Sequence, residues 1–326
     1  MGVKGLLKFV SPACESTTVH IFRGKNLGVD MMCFICKSLF HDDYMAHLDL
    51  YMRLLLRIAG HLFLVFDGRA PHAKNTELRR RRSTNRPKIT SEVIGKIVEY
   101  YRQNPRVTIV FAPGEADSQL AYMNFAGFVD VVVTEDSDLI VYGCPVILYK
   151  LRPFGNCVVY RRSEMRIPWN FRTFQRICLL CGCDYTNGLR GFGFQRALRT
   201  VPKQNPLTNY DKLDEFPSEK SPEEIDNELL DELAKCFPMD EECRRLFREA
   251  LEAFSRQPVV CLRTNTVISM PSLFWAECKK FANKLSCEEV AMQLPCENVA
   301  IKICAEVPDK MANKEFCPDL PKEEAV

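Results

Sequence analysis

The sequence predicts an α/β protein whose central, mainly parallel sheet is flanked by helices. Three observations predict it: short continuous apolar runs, helical patterns in the intervals between them, and a change to helical character from about residue 171. A strand that is apolar on both faces needs cover on both faces, and crossover helices supply that cover in a parallel sheet.

In chain order, residues 26–30 (NLGVD) read as a short buried strand ending in a carboxylate. Residues 61–67 (HLFLVFD) form a second strand, 107–112 (VTIVFA) a third, 129–134 (VDVVVT) a fourth and 146–150 a fifth. Helical periodicity covers 31–40, 48–59, 93–102 and 115–126. Further on, helices over 171–180 and 194–201 enclose a glycine-rich turn. The acidic stretch 211–242 reads as solvated loop and helix surface, and 243–256 as an amphipathic helix. The expected organisation is a core over 1–205, a helical C-terminal extension over 206–308, and a flexible Pro- and charge-rich tail over 309–326.

The 326 residues are 47% hydrophobic and 26% charged, a composition that folds rather than staying disordered. Net charge is only +2, so any surface for a polyanion must be local. Many of the 16 cysteines, such as Cys33, Cys36, Cys178 and Cys181, lie in apolar runs where a thiol packs as a small hydrophobe, which points to free thiols in a reducing compartment. Cys178, Cys181 and Cys183 lack the second pair that a structural zinc site needs. No apolar run reaches the length that spans a membrane.

The chemistry lies in where the acids fall. Asp30 and Asp67 end strands, Glu115 and Asp117 follow a third, and Asp136 and Asp138 follow a fourth. Asp184 sits in the turn after a helix. A parallel sheet gathers the loops at the carboxyl ends of its strands, so these acids are expected to converge. Crowded carboxylates raise one another's pKa unless cations compensate them, and an all-oxygen donor set favours Mg²⁺ or Mn²⁺. Two such ions suit in-line displacement at phosphorus. Each acid also has a plainer reading: Asp30 as a helix N-cap, Glu115 and Asp117 as acids of a first helical turn.

The segment 69–88 carries eight basic residues and one acid. On a helix, Lys74 and Arg81 would share a face and could hold a scissile phosphate, while the other arginines, among them Arg79 and Arg82, suit a phosphate backbone. A solvated basic loop or a nuclear-import patch is the alternative. In the turn, Gly188, Gly191 and Gly193 permit close backbone approach, and Arg190, Arg196 and Arg199 add positive charge. An ordinary helix hairpin is the alternative there.

Together these segments resemble the flap-endonuclease/XPG family of structure-specific 5′ nucleases. The residues that carry the resemblance are MGVKGLLKF at the start, VFDG (65–68), GEADSQLAY (114–122), TEDSDL (134–139) and GCDYTNGLRGFG (182–193), in order over roughly 1–260. The start and the LLCGCDY…LRGFG segment are most similar to the exonuclease-one branch. The resemblance implies a PIN-like, resolvase-like fold and a two-Mg²⁺ site, with Mn²⁺ able to substitute, at Asp30, Asp67, Glu115, Asp117, Asp136, Asp138 and Asp184. It implies Lys74 and Arg81 on the scissile phosphate, a short helical arch over about 69–92, and Gly2 close to DNA. It also implies a helix–two-turn–helix element over about 171–202 that grips duplex DNA with a K⁺ ion. The implied activity is 5′→3′ exonuclease and 5′ flap endonuclease action on duplex ends, nicks, gaps and flaps, by a monomer, in repair within the nucleus. A flap or junction endonuclease without processive exonuclease action, and a DNA-binding scaffold of the same fold, are the alternatives. Departures from the family pattern are the short span from Asp67 to Glu115, Met32 and Cys36 where an aromatic and a histidine are usual, and Cys181 and Gly188 where serines usually help hold K⁺.

Overall fold

A computed structural model describes residues 2–68, 87–203 and 222–269. Its seven-stranded sheet contains β1 (Cys14–Thr18), β2 (Leu27–Asp30), β3 (Leu62–Phe66), β4 (Val107–Phe111), β5 (Val131–Val133), β6 (Val146–Tyr149) and β7 (Asn156–Arg161). Their order is β1-β7-β6-β5-β2-β3-β4. The block β6-β5-β2-β3-β4 is parallel throughout, and β7 and β1 add an antiparallel edge.

The unbroken apolar runs explain the two-faced core. Along β3, Phe63 and Val65 enter one hydrophobic cluster, while Leu62, Leu64 and Phe66 enter the other. The period-2 alternation of a strand thus feeds two buried layers. One layer is closed by α2 (Met31–Ser38), α3 (Tyr44–Ile58) and α4 (Ser91–Tyr101). The other is closed by α1 (Leu6–Phe9), α5 (Ala116–Phe125), α6 (Asp138–Tyr142), α7 (Phe171–Cys181) and α8 (Phe194–Thr200). The later helices α9 (Pro222–Ala234) and α10 (Glu241–Ser255) and a two-stranded hairpin, β8 (Pro258–Cys261) with β9 (Thr266–Ser269), pack into this second layer.

All five expected strands form, each within a residue or two of its expected span. Several features differ from the sequence reading. The edge strands β1 and β7 were not foreseen; β1 (CESTT) is polar and largely exposed, so it carries no apolar run. The hairpin β8–β9 falls in a region expected to be helical, and its eight strand residues are too few to stand out by periodicity. Asp226, expected on a solvated acidic surface, is buried in α9 and paired with the buried Arg176 of α7. Residues 69–86, most of the expected arch, and the tail lie outside the described residues.

The cysteine cluster is largely buried. Cys178 and Cys181 are buried on α7, and burial pushes the Cys181 and Cys183 thiols up to about 12. They are therefore protonated at neutral pH in the metal-free protein. No disulfide occurs among the described residues.

Candidate metal centre

β5, β2, β3 and β4 are neighbours, and the chain reverses its direction of travel across the sheet between β2 and β5. Loops leaving the carboxyl ends of these strands open onto one crevice. Asp30 closes β2 and is 4% exposed. Its Oδ1 accepts the amides of Met32 (3.1 Å) and Cys33 (3.3 Å), so it does cap α2. Its Oδ2 accepts the Thr134 hydroxyl at 2.8 Å. The cap and the crevice position coexist: the helix start locks the carboxylate in place.

Asp67 is held in a similar way by a different helix. The Ala116 amide, at the start of α5, donates to Asp67 Oδ1 at 2.7 Å. Gly68 allows this approach, because a Cβ there would stand 1.9 Å from the Ala112 carbonyl oxygen. Glu115 occupies the N-cap position of α5 but makes no side-chain cap bond. It accepts a hydrogen bond from the Tyr185 hydroxyl instead. Burial, then Tyr142 and Glu115 nearby, raise the Tyr185 phenol well above its ordinary value, which keeps it a donor.

The loop after β5 is braced from within. The Asp136 amide donates to Thr134 Oγ1 at 3.0 Å, and the Asp138 amide to Asp136 Oδ1 at 3.2 Å. Asp117, Asp136 and Asp138 converge so that one carboxylate oxygen from each lies within 4.8 Å of the others. A dense all-carboxylate donor set of this kind fits a hard divalent cation. Cys33 lies beside it, and burial followed by the charges of Asp30 and Asp136 holds its thiol protonated. Asp184 is 9% exposed, in the turn that leaves α7.

The N-terminal segment enters the same centre. Gly2 has φ +85°, and a Cβ there would lie 2.3 Å from both Asp136 Oδ1 and Ser137 Oγ. No side chain fits, so glycine is required. The Val3 amide donates to Ser137 Oγ at 3.0 Å, and the Lys4 amide to the Gly182 carbonyl at 3.0 Å. Three consecutive residues thus join the carboxylates to the glycine-rich turn. In that turn Gly188 and Gly191 are left-handed, at φ +75° each, and Gly193 precedes α8 in extended conformation. Arg190 is exposed. Arg196 is also exposed but bonds the Gly191 carbonyl of its own turn at 2.9 Å and stacks over Phe237. Lys74, Arg79, Arg81 and Arg82 lie outside the described residues.

The XPG N-terminal domain matches residues 1–88 and the XPG I-region matches residues 106–184, just over half of the chain between them. The chain belongs to the XPG family. Among similar proteins, Exodeoxyribonuclease 1 of Schizosaccharomyces pombe is 30% identical over 248 residues, covering 62% of this XPG-family chain and 43% of that protein. Exonuclease 1 of Xenopus laevis is 30% identical over 247 residues, covering 63% and 34%. The match thus spans less than half the length of these relatives. The catalytic core of Rad2 in complex with DNA substrate superposes with a TM-score of 0.59 at 20% identity, over 90% of this chain and 99% of that one. Human GEN1 in complex with Holliday junction DNA gives 0.53 at 20% identity, over 89% and 76%. At that identity the likeness is one of fold.

Several residues around the centre were not singled out from the sequence: Thr134, Ser137, Tyr185 and Gln257, whose side-chain amide donates to the Tyr185 hydroxyl at 3.3 Å. The first three lie inside the quoted motifs, where each neighbours an acid. Gln257 carries no local signal.

Proposed function

We propose that this XPG-family chain is a divalent-metal-dependent nuclease, a 5′→3′ exonuclease on duplex DNA that also cuts 5′ flaps. The observation that carries the reading is the convergence of Asp117, Asp136 and Asp138 at the carboxyl edge of the sheet, with Asp30, Asp67 and Glu115 leaving neighbouring strands of the same edge. The similarity to Exodeoxyribonuclease 1 and Exonuclease 1 proteins supports the exonuclease branch.

In this reading Asp117, Asp136 and Asp138 hold the metal, with Asp30, Asp67, Glu115 and Asp184 completing the set for two Mg²⁺ ions. Mn²⁺ can replace them. The bound ions would supply charge neutralisation and Lewis acidity for in-line displacement at phosphorus. The chain's own residues prepare the site. The α2 and α5 amides hold the Asp30 and Asp67 carboxylates through their Oδ1 atoms, and the missing Cβ of Gly2 leaves room beside Asp136. Lys74 and Arg81 would hold the scissile phosphate, with Arg79 and Arg82 on the backbone. The turn bearing Gly188, Arg190, Gly191, Gly193 and Arg196 would track duplex DNA, with K⁺ at its carbonyls. Residues 1–205 act as the nuclease core and 206–308 as its extension. The protein works as a monomer in the nucleus, in DNA repair. No helix among the described residues is long and apolar enough to cross a membrane.

The test uses pure protein and 5′-labelled nicked, recessed and flapped duplexes, in Mg²⁺ or EDTA. Metal-dependent mononucleotides or short products are expected. A single product at the flap junction supports a flap or junction endonuclease instead. Binding without cleavage, in Mn²⁺ as well, overturns the enzymatic reading.

A further inference from the structure

The hairpin β8–β9 lies beyond both matched XPG regions, yet it reaches the carboxylates. Two contacts fix its place. The side-chain amide of Gln119 on α5 pairs with the hairpin backbone as a strand would: Nε2 donates to the Val260 carbonyl at 3.0 Å, and Val260 N donates to Oε1 at 2.7 Å. Gln257, one residue before β8 and 1% exposed, donates from Nε2 to the Tyr185 hydroxyl at 3.3 Å. Tyr185 in turn donates to Glu115 Oε2. The three groups form a buried chain, amide to phenol to carboxylate, in which each donor polarises the next. The fit is tight on the near side: a Cβ on Gly114 would stand 2.8 Å from Gln257 Oε1.

We propose that Gln257 is a positioning residue for the metal centre, holding Glu115 through Tyr185, so that the hairpin is a working part of the site. The inference rests on the metal-site reading above. Glu115 has a long side chain, and the Tyr185 hydroxyl donates to its Oε2. A ligand of that length needs an outer partner to fix its rotamer, and loss of such partners costs roughly 10- to 100-fold in metal affinity.

The experiment measures Mn²⁺ binding to the full chain without DNA, by the loss of the free-Mn²⁺ EPR signal, for wild type, Gln257→Leu, Tyr185→Phe and the double variant. Thermal melts establish folding first. Val259→Ala serves as a control that loosens the same hairpin while leaving both hydrogen-bonding groups, Gln257 and Tyr185, in place. Gln257→Leu and Tyr185→Phe should each weaken Mn²⁺ binding about 10-fold. Because Gln257 acts through Tyr185, the double variant should be no weaker than Tyr185→Phe alone. An unchanged Mn²⁺ affinity in Gln257→Leu, multiplying effects in the double variant, or an equal loss in Val259→Ala overturns the proposal. Wild-type protein that binds Mn²⁺ but cuts no DNA overturns the nuclease reading alone, and wild-type protein that binds no Mn²⁺ overturns both.

Discussion

Replacing Asp138 with Asn removes one charge from a cluster that is built to repel itself. Carboxylate oxygens of Asp117, Asp136 and Asp138 all lie within 4.8 Å of one another, and Asp136 and Asp138 are 6% and 2% exposed. At an effective dielectric constant of about 20, two unit charges at that range repel by roughly 3 kcal/mol. Asp138 takes part in two such pairs. Screening by solvent and counter-ions reduces the gross figure, leaving a net gain of about 1–2 kcal/mol in the metal-free variant, within the range for stabilising an active-site position. That corresponds to a rise of about 2–8 °C in Tm for a domain of this size. In divalent metal the order should reverse. Wild type gains about 2.7 kcal/mol at 100 times its metal Kd, while Asp138→Asn gains little. Differential scanning fluorimetry in EDTA and in MnCl₂, a cleavage assay on a nicked duplex and a gel shift with the same duplex read the outcome. The expected pattern is a higher metal-free Tm, a lost metal shift and a loss of cleavage, with DNA binding retained. A variant that melts no higher than wild type in EDTA, or that keeps the wild-type metal shift, refutes the reasoning.

Other substitutions probe the scaffold around the site. Gly68→Ala forces a methyl against the Ala112 carbonyl, 1.9 Å from where Cβ would stand, and should cost about 3 kcal/mol or more while displacing Asp67; urea unfolding and metal affinity should fall together. Asp226→Ala strands the buried Arg176 and should lose about 3–5 kcal/mol in the same assay, whereas Arg176→Leu with Asp226→Leu should recover most of it. His61 bonds Thr108 Oγ1 at 2.8 Å, and burial followed by Arg106 lowers its pKa below 6.5. The folded state therefore prefers neutral His61. Its contribution is present above about pH 6.5, where the unfolded chain is also neutral, and is lost as pH falls toward the lowered folded value. His61→Gln should flatten the decline in Tm between pH 7.5 and 5.5; an unaltered slope excludes His61 as its source.

The outline of this protein was legible in the chain. Unbroken runs such as LFLVF and VTIVF can be buried only as two-sided strands, so a parallel sheet with helices on both faces followed directly from local pattern. The three acids that meet, Asp117, Asp136 and Asp138, were legible too, because each stands just beyond the end of such a run. What local pattern could not supply was distance. Asp117, Asp136 and Asp138 meet, and Glu115 joins Tyr185, because β5, β2, β3 and β4 are neighbours in an order that chain sequence does not state. The polar edge strand β1 and the hairpin β8–β9 were silent for a related reason. β1 is ordered by β7, and β8 and β9 by each other and by the side chain of Gln119, while β1 is polar and the hairpin strands are too short to show a period. Gln257 is the extreme case: a neutral side chain of no local distinction, brought to Tyr185 across 72 residues only when the core closes. Periodicity records what each segment must bury, whereas the contacts that place a functional atom depend on which buried surfaces find one another.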